Sequence, residues 1–172
     1  RFGHGVPIYG EGTPDTAGGL TAAGKRLVRR CRDLDLMIDL SHITEAGFWD
    51  VARLYDGPLV ASHSNAWELC HSPRNLTDRQ LDAIARSDGF VGVNFGTIFI
   101  RKDRAPQRET PLRELVAHIR RIVEAVGIDR VGFGSDFDGT VIPDSIGSAW
   151  GLPTLLSALS EDGFTPEEVR KI

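Results

Sequence analysis

The chain has 172 residues, 41% of them hydrophobic and 26% charged, with 19 glycines and a formal net charge of −4. That is the profile of one globular α/β domain, too apolar for a disordered segment and without the broad basic surface that nucleic acid needs. The longest uncharged stretch, residues 145–160, is interrupted by Gly, Pro and Ser and is too short to span a bilayer, and two cysteines, Cys31 and Cys70, cannot build a disulfide framework.

A Gly/Pro-rich opening, residues 1–19, reads as a loop. Leu27, Val28, Cys31 and Leu34 then recur at helical spacing, which predicts an amphipathic helix over 21–34. "LMIDLSH" reads as a strand ending near Ser41, "TEAGFWDVARLY" as a helix and "PLVASH" as a second strand. "LTDRQLDAIARS" opens with a capping box from Thr77 to Gln80 and carries Leu81 and Ile84 on one face. "GFVGVNF" is a third strand. The clearest helix is "TPLRELVAHIRRIVEAVG", in which Leu112, Leu115, Val116, Ile119, Ile122, Val123 and Val126 form one stripe between Pro111 and Gly127. "RVGFGS" is a fourth strand and "LPTLLSALS" a further helix. "TPEEVRKI" has a second capping box, Thr165 to Glu168, and reads as the opening of a helix cut short; with Arg1 in place of Met, both ends read as cuts through a longer polypeptide.

Short apolar strands, each followed by a helix, are the signature of parallel strands joined by βαβ crossovers. A closed (β/α)8 barrel needs eight strands and about 250 residues. Four strands in a single domain spanning residues 1–172 therefore read as half a barrel or as a small open sheet.

What ends each strand carries the functional signal. His42 ends the first, His63 the second, Asn94 the third, and the fourth runs into Asp136 and Asp138. Carboxyl ends of parallel strands converge on one face, where ligands bind. Imidazole and carboxylate are ligands zinc prefers, and a metal held there would generate hydroxide near neutral pH. Arg74, in the loop after the second strand, could clamp a carboxylate through two parallel hydrogen bonds or form a loop salt bridge. The remaining candidates have plain structural readings. His118 falls between stripe positions and reads as an outward-facing, solvated side chain. His4 lies in a glycine-flanked loop, His71 reads equally as a site-loop or surface residue, and Cys31 and Cys70 as small packing residues. Asn94 reads equally as a hydrogen-bonding partner of neighbouring loops.

A rival motif overlaps the fourth strand. "DFDGT" is similar to the nucleophile motif of haloacid-dehalogenase-type phosphohydrolases, with Asp136 as nucleophile, Asp138 as acid/base and magnesium beside them. That motif opens its domain, however, and only 34 residues follow Asp138 here. The reading also leaves His42 and His63 without a role.

"MIDLSHITEAGFWDVARLYDGPLVASHSNAWELCHSPRNLTDRQLDAIA", "GFVGVNF" and "VGIDRVGFGSDFDG" together resemble the renal (membrane) dipeptidase family of zinc peptidases, in family order and spacing. The resemblance implies a (β/α)8 TIM barrel of the amidohydrolase type, about the C-terminal half of it in this chain. It implies two zinc ions bridged by water or hydroxide, and hydrolysis of dipeptides with tolerance for D-residues on the carboxyl side. By position, His42 and His63 match the ligands of the second zinc, Asp136 the carboxylate that manages protons, and Arg74 the arginine that holds the substrate's free carboxylate. Asp138 has no assigned role and reads as structural. The His-x-Asp pair of the first zinc and the bridging glutamate have no counterpart after Arg1. His4 lies too late to replace the family's substrate-binding histidine, and the histidine of the Cys-to-Arg loop is displaced to His71. Cys70 has no obvious disulfide partner near residue 102, where the resemblance implies one in some animal members, which suggests a reducing compartment, the cytoplasm favoured, or a microbial relative.

A different class of reading is that these 172 residues alone are no enzyme. Two imidazoles of an expected five ligands would bind metal weakly, and a half-barrel's unpaired strand edges and open core would invite homodimerisation or aggregation.

Overall fold

Three strands, β1 (Val60–Ala61), β2 (Phe90–Val93) and β3 (Val131–Phe133), pair in parallel in the order β1-β2-β3 in the computed structural model, which describes residues 18–172. Val60 lies opposite Phe90, and Val91, Gly92 and Val93 lie opposite Val131, Gly132 and Phe133. His4 and most of the predicted opening loop lie outside the described residues.

The strand expected over 36–42 is reduced to one parallel bridge, Asp39 to Val60, closed by Leu40 N–H donating to the Val60 carbonyl at 2.8 Å. The next step of a parallel ladder would take the Ser62 N–H to the Leu40 carbonyl. That N–H instead donates to Asp39 Oδ1 at 3.0 Å, and the Leu40 carbonyl accepts from Ile43. A side chain has intercepted the ladder. His42 then turns the chain away with φ +68°.

Seven helices flank these strands among the described residues: α1 (Ala22–Asp33), α2 (Glu45–Leu54), α3 (Asp78–Arg86), α4 (Thr97–Ile100), α5 (Leu112–Val126), α6 (Leu152–Glu161) and α7 (Pro166–Lys171). Both predicted capping boxes form, Thr77 with Gln80 and Thr165 with Glu168. Each satisfies N–H groups that a helix start leaves orphaned, worth about 1 kcal/mol. The helices α3 and α5 pack on each other and on β2, burying Leu81, Ile84, Leu115, Ile119 and Ile122 completely. Full burial of side chains of this size stabilises by roughly 1.5–3 kcal/mol each.

The amphipathic helix predicted over 21–34 forms as α1, packs on α2 and gives Val28 to the core, while Leu27 and Leu34 are 44% and 49% exposed. One expectation about a helix face is corrected. In α5, His118 does not face solvent but is 1% exposed. The short helix α4, which the sequence pattern did not reveal, packs against α5 and widens its buried arc.

The strands approach closely at their carboxyl ends. A Cβ on Gly92 or on Gly134 would sit 2.0 Å from the Ser62 carbonyl oxygen. Glycine at both positions lets three backbones meet there.

Candidate metal and substrate site

His42, His63, Asn94 and Asp136 all follow the carboxyl end of a strand or strand remnant, and the fold brings them together. The Nε2 atoms of His42 and His63 are 2.8 Å apart, with ring centroids at 4.8 Å and planes tilted by 58°. Asp136 Oδ2 accepts from Asn94 Nδ2 at 3.0 Å, and Asn94 Oδ1 accepts from Gly96 N–H at 2.6 Å. Asn94 is thus both a loop tie and a site residue. Like His42, Asp136 adopts a left-handed backbone, φ +57°, costing about 1–2 kcal/mol outside glycine. Gly139 makes room for it: a Cβ there would lie 2.1 Å from Asp136 Oδ1.

Arg74 is 6% exposed, its guanidinium 5.4 Å from the Phe99 ring centroid, and one Nη–H donates to the His63 carbonyl at 3.4 Å. Its buried Nε has no hydrogen-bond partner. Burial lowers its pKa to about 10, against the opposing pull of Asp136 and Asp39, so it remains a cation at neutral pH. Burial also lowers the pKa of His63, helped by the Arg74 charge and opposed by Asp136 and Asp39. His63, Arg74, Asp136 and Asp39 therefore share one electrostatic neighbourhood.

Beneath the imidazoles lies a layer that sequence reasoning missed. Asp39 Oδ1 accepts from the Ser41 and Ser62 N–H groups, both at 3.0 Å, and Oδ2 accepts from the Ser62 hydroxyl at 2.5 Å. Ser62 Oγ lies 2.7 Å from His63 Nδ1, and Ser41 Oγ accepts from His63 N–H at 2.9 Å. Burial opposes the Asp39 charge, but these donors hold its pKa below the usual carboxylate value. The available signal was local, an acid three residues before one histidine and a serine directly before the other.

The loop that carries Arg74 is pinned by buried polar side chains. Asn75 Nδ2 donates to the carbonyls of Cys70 and Phe99, and Asn65 Nδ2 to those of Asn94 and Phe99. His118 Nδ1 accepts the Ala66 N–H at 3.1 Å and its Nε2 donates to the Ile100 carbonyl at 2.9 Å. The other candidates stand apart. His71 is exposed and stacks on Trp67 at 3.9 Å, Asp138 is exposed, and Cys31 and Cys70 are free thiols.

Among the described residues no group of three or more His, Cys, Asp or Glu side chains is placed to hold a metal ion. The donor set that does fit one is the His42–His63 pair, two imidazole nitrogens at a shared point, with a third group already engaging the outer nitrogen of His63. Metal-bound histidines are held in this way.

The sequence profile of the membrane dipeptidase family, peptidase family M19, matches residues 8–172. The chain belongs to that family. A Klebsiella pneumoniae protein, described as an uncharacterized protein in the pqqA 5′ region, is 49% identical over 164 residues, covering 95% of this chain and 60% of its own length. A solved structure of a dipeptidase described as a metallo peptidase of family M19 superposes with TM-score 0.94 at 50% identity, over 99% of this chain and 51% of that one. A Rhodobacter sphaeroides metallo peptidase liganded with a phosphinate mimic of the dipeptide L-Ala-D-Ala matches equally well, with TM-score 0.94, 50% identity and 99% and 49% coverage. The chain thus spans about half the length of these dipeptidase structures, and its parallel α/β architecture corresponds to part of a TIM barrel rather than to a small open sheet. The family assignment disfavours the phosphohydrolase reading of "DFDGT", and the exposure of Asp138 gives that reading no support.

Proposed function

We propose that the protein carrying this chain is a zinc metallo-dipeptidase, and that residues 1–172 belong to a single catalytic domain in which they supply half of a two-zinc site. The observation that carries this reading is the meeting of two imidazole Nε2 atoms at 2.8 Å beside a buried arginine whose Nε is unpaired. Membership of a dipeptidase family and a neighbour liganded with a dipeptide mimic support it.

In this reading His42 and His63 hold the second zinc. Zinc bound there supplies the Lewis acidity that lowers the pKa of an attacking water. Asp136, oriented by Asn94, takes a proton from that water as it adds to the peptide carbonyl carbon, then delivers it to the departing amine nitrogen. Arg74 pairs with the dipeptide's terminal carboxylate. Its guanidinium is already desolvated, so the pair forms without further burial of the cation, and a longer peptide has no carboxylate at that position.

The test is hydrolysis of dipeptides by the intact protein, with zinc content measured in parallel. Activity is expected to vanish on chelation and return with zinc. Arg74→Ala is expected to raise KM about 10- to 100-fold, the loss of one charge-assisted interaction, while kcat changes less. Full activity after complete metal removal would overturn the reading.

A further inference from the structure

Three groups lie within reach of Ser62 Oγ, Asp39 Oδ2 at 2.5 Å, His63 Nδ1 at 2.7 Å and Ser41 Oγ at 3.4 Å, and of these the nearest, the carboxylate, can only accept. Asp39 is an ionised carboxylate, with acceptors and no proton to give, so the Ser62 hydroxyl hydrogen must point to Asp39 Oδ2, 2.5 Å away. Ser62 Oγ then has only lone pairs left for His63 Nδ1 at 2.7 Å, and Nδ1 must carry the hydrogen. A neutral imidazole protonated on Nδ1 presents a bare lone pair on Nε2, the atom that faces His42. Asp39 is itself fixed, because its Oδ1 takes the backbone N–H groups of Ser41 and Ser62. The interrupted first strand, in which the Asp39 carboxylate takes the ladder's next N–H, is thus the same feature that orients the relay.

Resting on the metal site proposed above, we propose that Asp39, acting through Ser62, is a positioning residue that locks His63 in its Nδ1–H tautomer and keeps the Nε2 lone pair directed at the metal position.

The relay predicts an inversion by one atom. In Asp39→Asn the amide oxygen stays on the two backbone N–H groups, because the opposite flip would set an NH2 against two N–H donors. The NH2 then replaces Oδ2 and donates to Ser62 Oγ. The hydroxyl hydrogen swings to His63 Nδ1, and the imidazole proton moves to Nε2, where it blocks the ligand position. Ser62→Ala removes the lock without inverting it. The double variant Asp39→Asn/Ser62→Ala should therefore behave like Ser62→Ala, because asparagine no longer has a hydroxyl to turn round.

The experiment uses the intact protein. Nitrogen-15 NMR of the metal-free form reads the His63 tautomer, and zinc titration reads affinity at the second site. The wild type is expected to carry the proton on Nδ1 and D39N on Nε2. Zinc should bind D39N about 10- to 100-fold more weakly, with the double variant recovering to the Ser62→Ala level. D39N with an unchanged tautomer, or a double variant as impaired as D39N alone, would overturn the proposal. Should D39N fail to fold, Ser62→Ala still decides: a His63 that keeps a pure Nδ1–H tautomer without the hydroxyl has no need of the relay. If the wild type binds no zinc, the proposed metal site fails, and the tautomer measurements judge the relay separately.

Discussion

The two flanks of the site are held by different means. On the imidazole flank His42 and His63 stand at strand ends on a half-exposed rim, where hydrogen bonds to Ser41 and Ser62, the latter backed by Asp39, fix His63, and His63 in turn meets His42. On the guanidinium flank Arg74 sits in a loop with no regular structure of its own, held by Asn65, Asn75 and His118 gripping the carbonyls of Phe99 and Ile100 in the interior. Rim hydrogen bonds compete with water and contribute little to folding, whereas buried ones leave costly orphans when broken. Changes on the first flank should therefore be read in metal affinity and turnover, and changes on the second first in stability.

The largest effect is expected on the loop side. His118→Ala would leave the Ala66 N–H and the Ile100 carbonyl unsatisfied in the core and open a cavity where a fully buried ring stood. Together these should cost about 4 kcal/mol, measured by denaturant unfolding. The same residue gives this flank a pH dependence. Burial lowers the His118 pKa to about 4 from an ordinary 6.5, against the smaller opposing effect of its hydrogen bond to the Ile100 carbonyl. The unfolded chain therefore binds a proton that the folded one refuses. Stability should fall as pH drops from 6.5 toward 4, by up to about 3 kcal/mol, and the loss should be absent from a His118→Gln variant. Next in size is the strand junction beside His63, where Gly92 and Gly134 approach the Ser62 carbonyl. Gly134→Ala places a methyl group 2.0 Å from the Ser62 carbonyl, where only backbone can yield, and should destabilise by about 2–3 kcal/mol while weakening metal binding at His63.

Much of this arrangement was legible in the sequence. Both capping boxes, the buried face of α3, most of the α5 stripe and the placing of His42, His63 and Asp136 at strand ends followed from spacing alone, because periodicity and end signals are local. What was hidden depends on contacts between distant segments. His118 looked solvated because it is polar and flanks an apolar stripe, but α4 covers that flank and two backbone groups satisfy its ring nitrogens. The α1 spacing predicted its amphipathic helix but not how deeply the stripe would be buried, since that depends on which segments lie opposite. Asp39 looked like an ordinary strand residue, since nothing in "MIDLSH" shows that its carboxylate would take the Ser62 N–H from across the sheet.

The smallest expected stability change separates the two flanks most cleanly. A Cβ on Gly139 would lie 2.1 Å from Asp136 Oδ1, which is the end of a side chain and not backbone, so the carboxylate can swing away. Gly139 is not among the glycines with positive φ, and alanine is tolerated there without backbone strain. Gly139→Ala should therefore destabilise by only about 1 kcal/mol, chiefly through the lost partner of the buried Asn94 amide. The swing would cost Asp136 its 3.0 Å hydrogen bond from Asn94, and with it the orientation that proton transfer needs. Turnover of dipeptide is expected to fall about 10-fold or more, with zinc affinity unchanged because neither imidazole moves. An equal loss of stability and turnover would mean that Asp136 is braced as rigidly as His118, and the division between a rim tuned for chemistry and an interior tuned for folding would not hold.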